Sequence, residues 1–378
     1  MPKDRAHGQK RPAKDDRPPC KYGSKCYRKS TDHKKNFRHP EMGLQRDAGV
    51  SQDAPPVDDK VPEKPTGEDS SLPDSPGDVR ESIKQKFLVE MPEDFYDFWD
   101  FCCSLKKESP SDALYELLHL RLVGPFDVLA GKLTNKKASM SDDFLCHWRY
   151  FYDPPEMQTV LSGDDETMYH IGYFRDDPEE MPVFLASNVA SEGCKIVKVA
   201  GNLFAVLSKE ISKALKKCDN PQAKLRKLNG ALVEFAEKKG HSLLESSKER
   251  PKPQSATFHG AGLVVPYDSK MGVGYRKLPL SDTDLKKLLA KFSDDREEGA
   301  HKDRLQELVT WIHIANDECD YGMGLEFSIA LFCAGHASLH PSVNMLGGLA
   351  YKLLRREPFA RILSAHLKRR NKSPYVLG

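Results

Sequence analysis

Ala315-Asn316-Asp317-Glu318-Cys319-Asp320-Tyr321-Gly322-Met323-Gly324-Leu325-Glu326 joins two apolar-periodic segments and governs how the C-terminal half is read. Upstream, Leu305, Leu308, Val309, Ile312, Ala315 and Cys319 recur at helical spacing and form one stripe, so a helix is expected over 303–319. Leu325 to Cys333 resumes the pattern as a second helix over 325–334, and Tyr321-Gly322-Met323-Gly324 reads as a two-glycine turn between them. Asn316, Asp317, Glu318 and Asp320 gather at the C-terminal end of the first helix, where the helix dipole is itself negative. Carboxylates crowded against the dipole store unfavourable electrostatics and mark a candidate functional site. The bland counterpart is a solvated acidic loop that caps or pairs locally.

Outward from this junction the pattern stays helical, with segments expected near 202–217, 221–239, 281–293, 342–356 and 358–370. Thr257 to Pro266 reads as an extended apolar segment leading to Gly274-Tyr275-Arg276-Lys277, and the Lys-rich stretch 237–254 as a mobile loop or loosely held strand. Farther upstream, Met91-Pro92-Glu93-Asp94 starts a helix whose Phe95, Phe98, Trp99 and Cys102 share one apolar face, and a short helix follows over 111–120. Leu122 to Leu129, Phe144 to Tyr152, Met168 to Phe174 and Pro182 to Ala186 are short apolar runs bounded by turn residues, as strands of an antiparallel or mixed sheet would be. The fold class expected is α+β: an α+β domain over 80–200 with a small sheet, then a mainly helical domain over 201–378 that carries the acidic turn.

The N-terminal segment is different in kind. Cys20, Cys26, His33 and His39 follow a C-x5-C-x6-H-x5-H spacing, and two thiolates with two imidazoles supply the tetrahedral shell that structural zinc prefers. A loop this small cannot bury a core, so its folding would depend on the metal. Residues 1–40 carry 13 Lys and Arg against four Asp, which suits a polyanionic ligand. Residues 41–80 invert the balance with ten acidic and four basic side chains and six prolines, so 42–79 is expected to be a disordered linker after a finger over 17–41. The remaining residues hold 41 basic and 42 acidic side chains, which argues against a dedicated nucleic-acid groove. Nine cysteines, several beside apolar runs, fit buried reduced thiols. No apolar stretch reaches the roughly 20 residues of a membrane span. Lys10-Arg11 and Lys368-Arg369-Arg370 are basic clusters suited to nuclear import.

The residues around the metal ligands carry a resemblance. Cys20-Lys21-Tyr22-Gly23 through Cys26-Tyr27-Arg28 to Phe37-Arg38-His39-Pro40 resembles the poly(ADP-ribose)-binding zinc finger, with every signature position filled. Tyr22 and Tyr27 offer faces on which an adenine can stack, and Arg28 a planar fork for pyrophosphate or base edges. Packing around the zinc is the alternative role of either tyrosine.

A second resemblance covers nearly all of 80–370. The run quoted at the outset, Thr257 to Pro266, Val273-Gly274-Tyr275-Arg276, His147-Trp148-Arg149 through Tyr152-Asp153-Pro154-Pro155-Glu156, and Gly172-Tyr173-Phe174-Arg175-Asp176 resemble the histone PARylation factor family. That resemblance implies a protein that is no enzyme alone. It docks on the catalytic domain of a DNA-damage-activated poly(ADP-ribose) polymerase and contributes a glutamate to the polymerase's NAD-dependent site, the NAD being held by the polymerase. The family's catalytic glutamate falls on Glu318, the aspartate that helps docking on Asp317, and the arginine beside the glutamate on Arg276. The implied partners are that polymerase, histones and poly(ADP-ribose), with no membrane and no sequence-specific DNA, and the implied location is the nucleus, at damaged chromosomes. The last residues, Lys372 to Gly378, depart from the family's pattern.

The implied chemistry is coherent. A serine hydroxyl is a far weaker acid than a carboxylic acid, so its attack on the ribose carbon of NAD gains from a positioned base, whereas an aspartate or glutamate acceptor is already ionised. Arg276 can hold the carboxylate by a charge-assisted fork, or it can serve as a plain structural ion pair. A non-catalytic poly(ADP-ribose)-reading adaptor, with the acidic turn as a docking knob, is the alternative class. A free-standing hydrolase acting on ADP-ribosyl groups finds poor support, because Gly260-Ala261-Gly262 is too short for a nucleotide loop and no Cys/His or Ser/His arrangement has a convincing form.

Overall fold

Five consecutive strands pair in chain order to form the sheet: β1 (Arg121–Leu122), β2 (Met157–Ser162), β3 (Tyr169–Phe174), β4 (Phe184–Val189) and β5 (Val197–Ala200). Every pairing is antiparallel, with Leu122 opposite Leu161, Gln158 opposite Tyr173 and Tyr173 opposite Leu185. The computed structural model describes residues 77–377 apart from 135–140, 218–220, 245–248 and 293–299. The expected finger ligands Cys20, Cys26, His33 and His39, the residues Tyr22, Tyr27 and Arg28, and nearly all of the expected acidic linker lie outside the described residues.

One sheet face is covered by helices α1 (Val79–Phe87), α2 (Glu93–Leu105), α3 (Leu203–Leu215) and α4 (Gln222–Lys239). Phe95, Phe98 and Phe101 of α2 pack with Phe126, Val160, Ile171, Tyr173, Leu185, Phe204 and Leu232 in one apolar cluster. Its aromatic rings meet at 4.1 Å (Phe95–Phe126) and 5.5 Å (Phe98–Phe204). Asp94 ties three elements together beneath this cluster, accepting from the Tyr173 hydroxyl at 2.6 Å and from the Leu203 amide at 2.9 Å. The opposite face buries Met157, Phe174, Phe184, Ala186 and Ile196.

The C-terminal half is built from α5 (Asp282–Leu289), α6 (Ala300–Asp317), α7 (Tyr321–Ala334), α8 (His340–Leu353) and α9 (Glu357–Arg369). Its cluster joins Leu308, Ile312, Leu325, Phe327, Val343, Tyr351, Phe359 and Leu363 with Leu263 and Val265 of the extended segment. Almost every side chain of α7 is buried, so it is the central helix of this half. Among the described residues no helix is long and apolar enough to cross a membrane. The described residues form one compact unit.

The α+β expectation and the helical C-terminal half stand, while several segment boundaries move. Residues 126–129 and 143–146 form single helical turns, and 147–152 is irregular, where strands over 122–129 and 144–152 were expected. The apolar run of 144–152 reflects burial of Phe144, Leu145 and Cys146 in a turn. Over 111–120 there is a 3-10 turn (Pro110–Asp112) and one α turn (Tyr115–Leu118) in place of a continuous helix. The Lys-rich 237–254 stretch belongs to α4 up to Lys239, and Arg250 is fastened by Asp176 at 2.6 and 2.7 Å and by the Ala261 carbonyl at 2.6 Å.

Two arginines drawn from the resembling blocks turn out to be structural. Arg149 donates to the carbonyls of Leu145, Pro154 and Met157, and Arg175 to those of Glu90 and Glu180. The basic cluster near the C-terminus is likewise engaged by the fold. Arg370 donates to the carbonyls of Phe151 and Phe332, both at 2.8 Å, and Arg369 pairs with Asp143.

Candidate functional site: an acidic helix junction

The junction begins where α6 ends. Asp320 N–H reaches back to the Ala315 carbonyl at 2.8 Å and Cys319 N–H to that of Asn316 at 3.1 Å, the crossed pair of bonds that closes a helix C-terminus. Such a closure needs one left-handed residue, normally glycine, and here Cys319 takes it at φ 69°. A cysteine in that conformation costs about 1–2 kcal/mol, and its burial in the core offsets part of that. Left-handed backbone on a side-chain-bearing residue concentrates at functional sites.

The two-glycine turn is absent. The second helix starts at Tyr321, so Gly322 and Gly324 lie in its first turn. Close approach explains both. A Cβ on Gly322 would lie 2.9 Å from Tyr275 Cδ2 and 3.0 Å from the Gly274 carbonyl, and one on Gly324 would lie 3.0 Å from Ile312 Cγ2. The early start also changes the electrostatics. Asp317 and Glu318 do end α6, against its dipole, but Asp320 precedes the first residue of α7, where the dipole favours an anion.

The segment facing the junction comes from Asp268 to Lys277. Asp268 and Val273 exchange backbone bonds at 2.9 and 3.2 Å, closing a short loop. Gly274 follows at φ 117°, with the Pro266 carbonyl 2.1 Å from where a Cβ would stand, so only glycine fits. Its N–H donates to Asp320 Oδ1 at 2.9 Å, and its carbonyl accepts from Gly322 N–H at 3.0 Å. These two bonds pin the loop to the first turn of α7 and deliver Arg276 to the acids.

Arg276 Nη2 pairs with Glu318 Oε2 and, at 3.0 Å, with Asp320 Oδ2. The Arg276 side chain is 46% exposed and that of Glu318 52%, whereas Asp320 is 3% exposed. Asp320 is therefore the buried anchor, Arg276 the lever, and Glu318 the carboxylate presented to solvent. The hydrogen bond to Glu318 and the two neighbouring carboxylates raise the guanidinium pKa, holding it charged. Asp317 is exposed, and no cation pairs with it among the described residues. The structure thus brings Glu318 and Arg276 together, places Asp317 beside them, and adds Asp320, whose role the sequence did not single out.

Behind this pair lies a second carboxylate. Glu326, one turn beyond Gly322 on α7, accepts from Tyr275 OH at 3.0 Å and from Ser255 Oγ. Burial pushes the Glu326 pKa up, and the two hydroxyl donors oppose that shift. An open cleft of about 320 Å³ beside it is lined by Gln254, Ser255, Tyr275, Lys277, Asp282 and Glu326. A wider cleft of about 800 Å³ elsewhere is edged by Arg80, Lys84, Glu90 and Glu93, whose charges pair among themselves at 2.7 and 2.6 Å.

Fold and site define an α+β protein whose acidic centre is carried on the surface, on a junction between two helices. The chain belongs to the Histone PARylation factor 1 family, whose family model matches residues 78–370. A second family model, the PBZ domain, matches residues 17–42 and gives that segment the character of a zinc-binding finger. Histone PARylation factor 1 of Bos taurus is 45% identical over 310 residues, covering 79% of this chain and 88% of the relative. The Mus musculus protein of the same name is 42% identical over 307 residues, covering 79% and 88%. That of Danio rerio is 43% identical over 303 residues, covering 78% and 86%.

Proposed function

We propose that this chain is an accessory factor for serine ADP-ribosylation of histones and other chromatin proteins, completing the active site of a DNA-damage-activated poly(ADP-ribose) polymerase. Membership of the Histone PARylation factor 1 family and the PBZ match support a histone PARylation role and poly(ADP-ribose) binding. The observation that carries the finer reading is the half-exposed Glu318 carboxylate, held from one side by Arg276 and leaving its other edge open.

In the proposed reaction Glu318 accepts the proton of an acceptor serine as the serine oxygen bonds to the ribose C1′ of NAD. The bond from C1′ to nicotinamide breaks, and nicotinamide leaves. NAD is held by the polymerase. Arg276 orients the base, and the unpaired Asp317 on the same turn is the contact offered to a cation of the polymerase. Cys20, Cys26, His33 and His39 are the ligands proposed for zinc. Their donor set fits that metal, which would supply the finger's folding. Tyr22, Tyr27 and Arg28 are proposed to bind poly(ADP-ribose), concentrating the chain on polymer already made at damaged chromosomes in the nucleus.

The test is serine modification of a histone peptide by the DNA-activated polymerase with wild-type or Glu318→Gln protein, polymerase binding being measured alongside. Loss of serine modification with binding retained supports the reading, and undiminished modification removes Glu318 from it. Tyr22→Ala or Arg28→Ala protein should lose retention on poly(ADP-ribose).

A non-catalytic adaptor is the second reading. There the acidic turn is only a docking knob, and Trp311 and Ile314, 45% and 41% exposed on α6 just before it, add apolar surface to such a contact. In that case Glu318→Gln protein would keep its effect on acceptor choice.

A further inference from the structure

We propose that Glu326 is a positioning residue of the acidic junction, acting through Tyr275 to fix the Arg276 guanidinium and, through it, the Glu318 carboxylate. The proposal rests on the reading of Glu318 as the base.

The geometry is a relay between two ends of one helix turn. The Tyr275 ring lies against Gly322, with Cδ2 only 2.9 Å from where a side chain there would begin. Its hydroxyl reaches Glu326 Oε2 at 3.0 Å, four residues further along α7. Positions four apart share a helix face, so the ring is held flat along one turn, at its base by packing and at its tip by a hydrogen bond. The other Glu326 oxygen is occupied by Ser255 Oγ, and Ser255 is itself paired with Leu263, whose N–H donates to the Ser255 carbonyl at 2.8 Å. Glu326 therefore cannot swing without breaking a second contact.

Tyr275 immediately precedes Arg276, and Gly274 on its other side is pinned by Asp320. The backbone that carries Arg276 is thus clamped at two points, an aspartate before α7 and a glutamate one turn into it. Without the Glu326 clamp, Tyr275 loses its polar anchor and the half-exposed Arg276 is held from one side alone. A base displaced by about 1 Å loses up to about a hundredfold in rate, so a carboxylate that never meets substrate can still govern the reaction.

The experiment titrates full-length protein into the DNA-activated polymerase with NAD and a serine-containing histone peptide. It reads the plateau rate of serine modification separately from the half-saturating concentration. Glu326→Leu should lower the plateau about tenfold while leaving the half-saturating concentration within about twofold, since a docking or folding defect moves the latter. Glu326→Gln, which keeps an oxygen to accept one hydroxyl, should recover most of the plateau. Tyr275→Phe removes a single oxygen atom and should lower the plateau with the fold intact, so the idea stays testable if Glu326→Leu fails to fold. Wild-type plateaus in Glu326→Leu and Tyr275→Phe, or a change in half-saturating concentration alone, would overturn the proposal while Glu318→Gln remained inactive. A Glu318→Gln protein that keeps the full plateau overturns the base reading itself, and the positioning role with it.

Discussion

Asp320 gives one oxygen to Gly274 N–H at 2.9 Å and the other to Arg276 at 3.0 Å, and it is buried while both of its neighbours in the site are exposed. Asp320→Asn preserves shape and removes charge. Its amide oxygen can still serve Gly274, but its NH₂ then faces the guanidinium, donor against donor. We expect a loss of about 1–3 kcal/mol in urea unfolding and a drop in plateau serine modification, with Arg276 released. An unchanged unfolding midpoint would show that Asp320 is not the anchor. The resembling motif drew attention to Glu318 and Arg276, which the structure pairs, but Asp320 was not separable from its acidic neighbours. Sequence gives the spacing of carboxylates, and only the crossed hydrogen bonds at Cys319 turn one of them inward and leave the other outside.

At the scale of elements, α7 shows why a glycine pair misleads. Two glycines after a helix end read as a turn, yet both sit inside the next helix because a ring and an isoleucine press on them. Gly322→Ala should therefore destabilise by about 1–3 kcal/mol through overpacking. Gly230→Ala on the exposed face of α4, with nothing within 4 Å, should stabilise by about 1 kcal/mol from helix propensity alone. Thermal or urea unfolding of the pair checks this, and equal signs would refute it. The long amphipathic helices were legible, because a one-sided stripe is strong in a single sequence. Strands β2 and β5 were not: every residue of Met157–Ser162 is buried, including Gln158, Thr159 and Ser162, so no alternation is visible. The run Phe144 to Tyr152 shows the converse, apolar residues clustered in one helical turn and the irregular chain after it, with no period at all.

The molecule as a whole responds to acid through imidazoles kept neutral in its interior. His259 accepts from Ala261 N–H at 3.1 Å on Nδ1, and its backbone carbonyl accepts from Ile196 N–H at 2.7 Å, so it joins the extended segment to the sheet. Burial, reinforced by Arg250 and Lys195, pushes its pKa from 6.5 down to about 3. Burial likewise drives His366 well below its ordinary value. The unfolded chain therefore binds more protons than the folded one between pH 6.5 and 3, so stability is full above that window and falls as pH drops through it. His259 costs about 1.4 kcal/mol per pH unit there. His259→Gln should be less stable than wild type at pH 7, and the gap should narrow by about 2 kcal/mol by pH 5. Urea titrations of both proteins at the two pH values measure it, and a constant gap would exclude His259 as a source.

The order of the strands along the sheet matches their order along the chain, so each strand can add to the edge left by the one before it as synthesis proceeds. The Gly274–Asp320 bond joins residues 46 apart, so it can form only once the whole segment between them has been synthesised. Were a polymerase to grip this corner, as proposed, it would in effect be inspecting finished goods, since a half-made or partly melted copy has no assembled corner to offer.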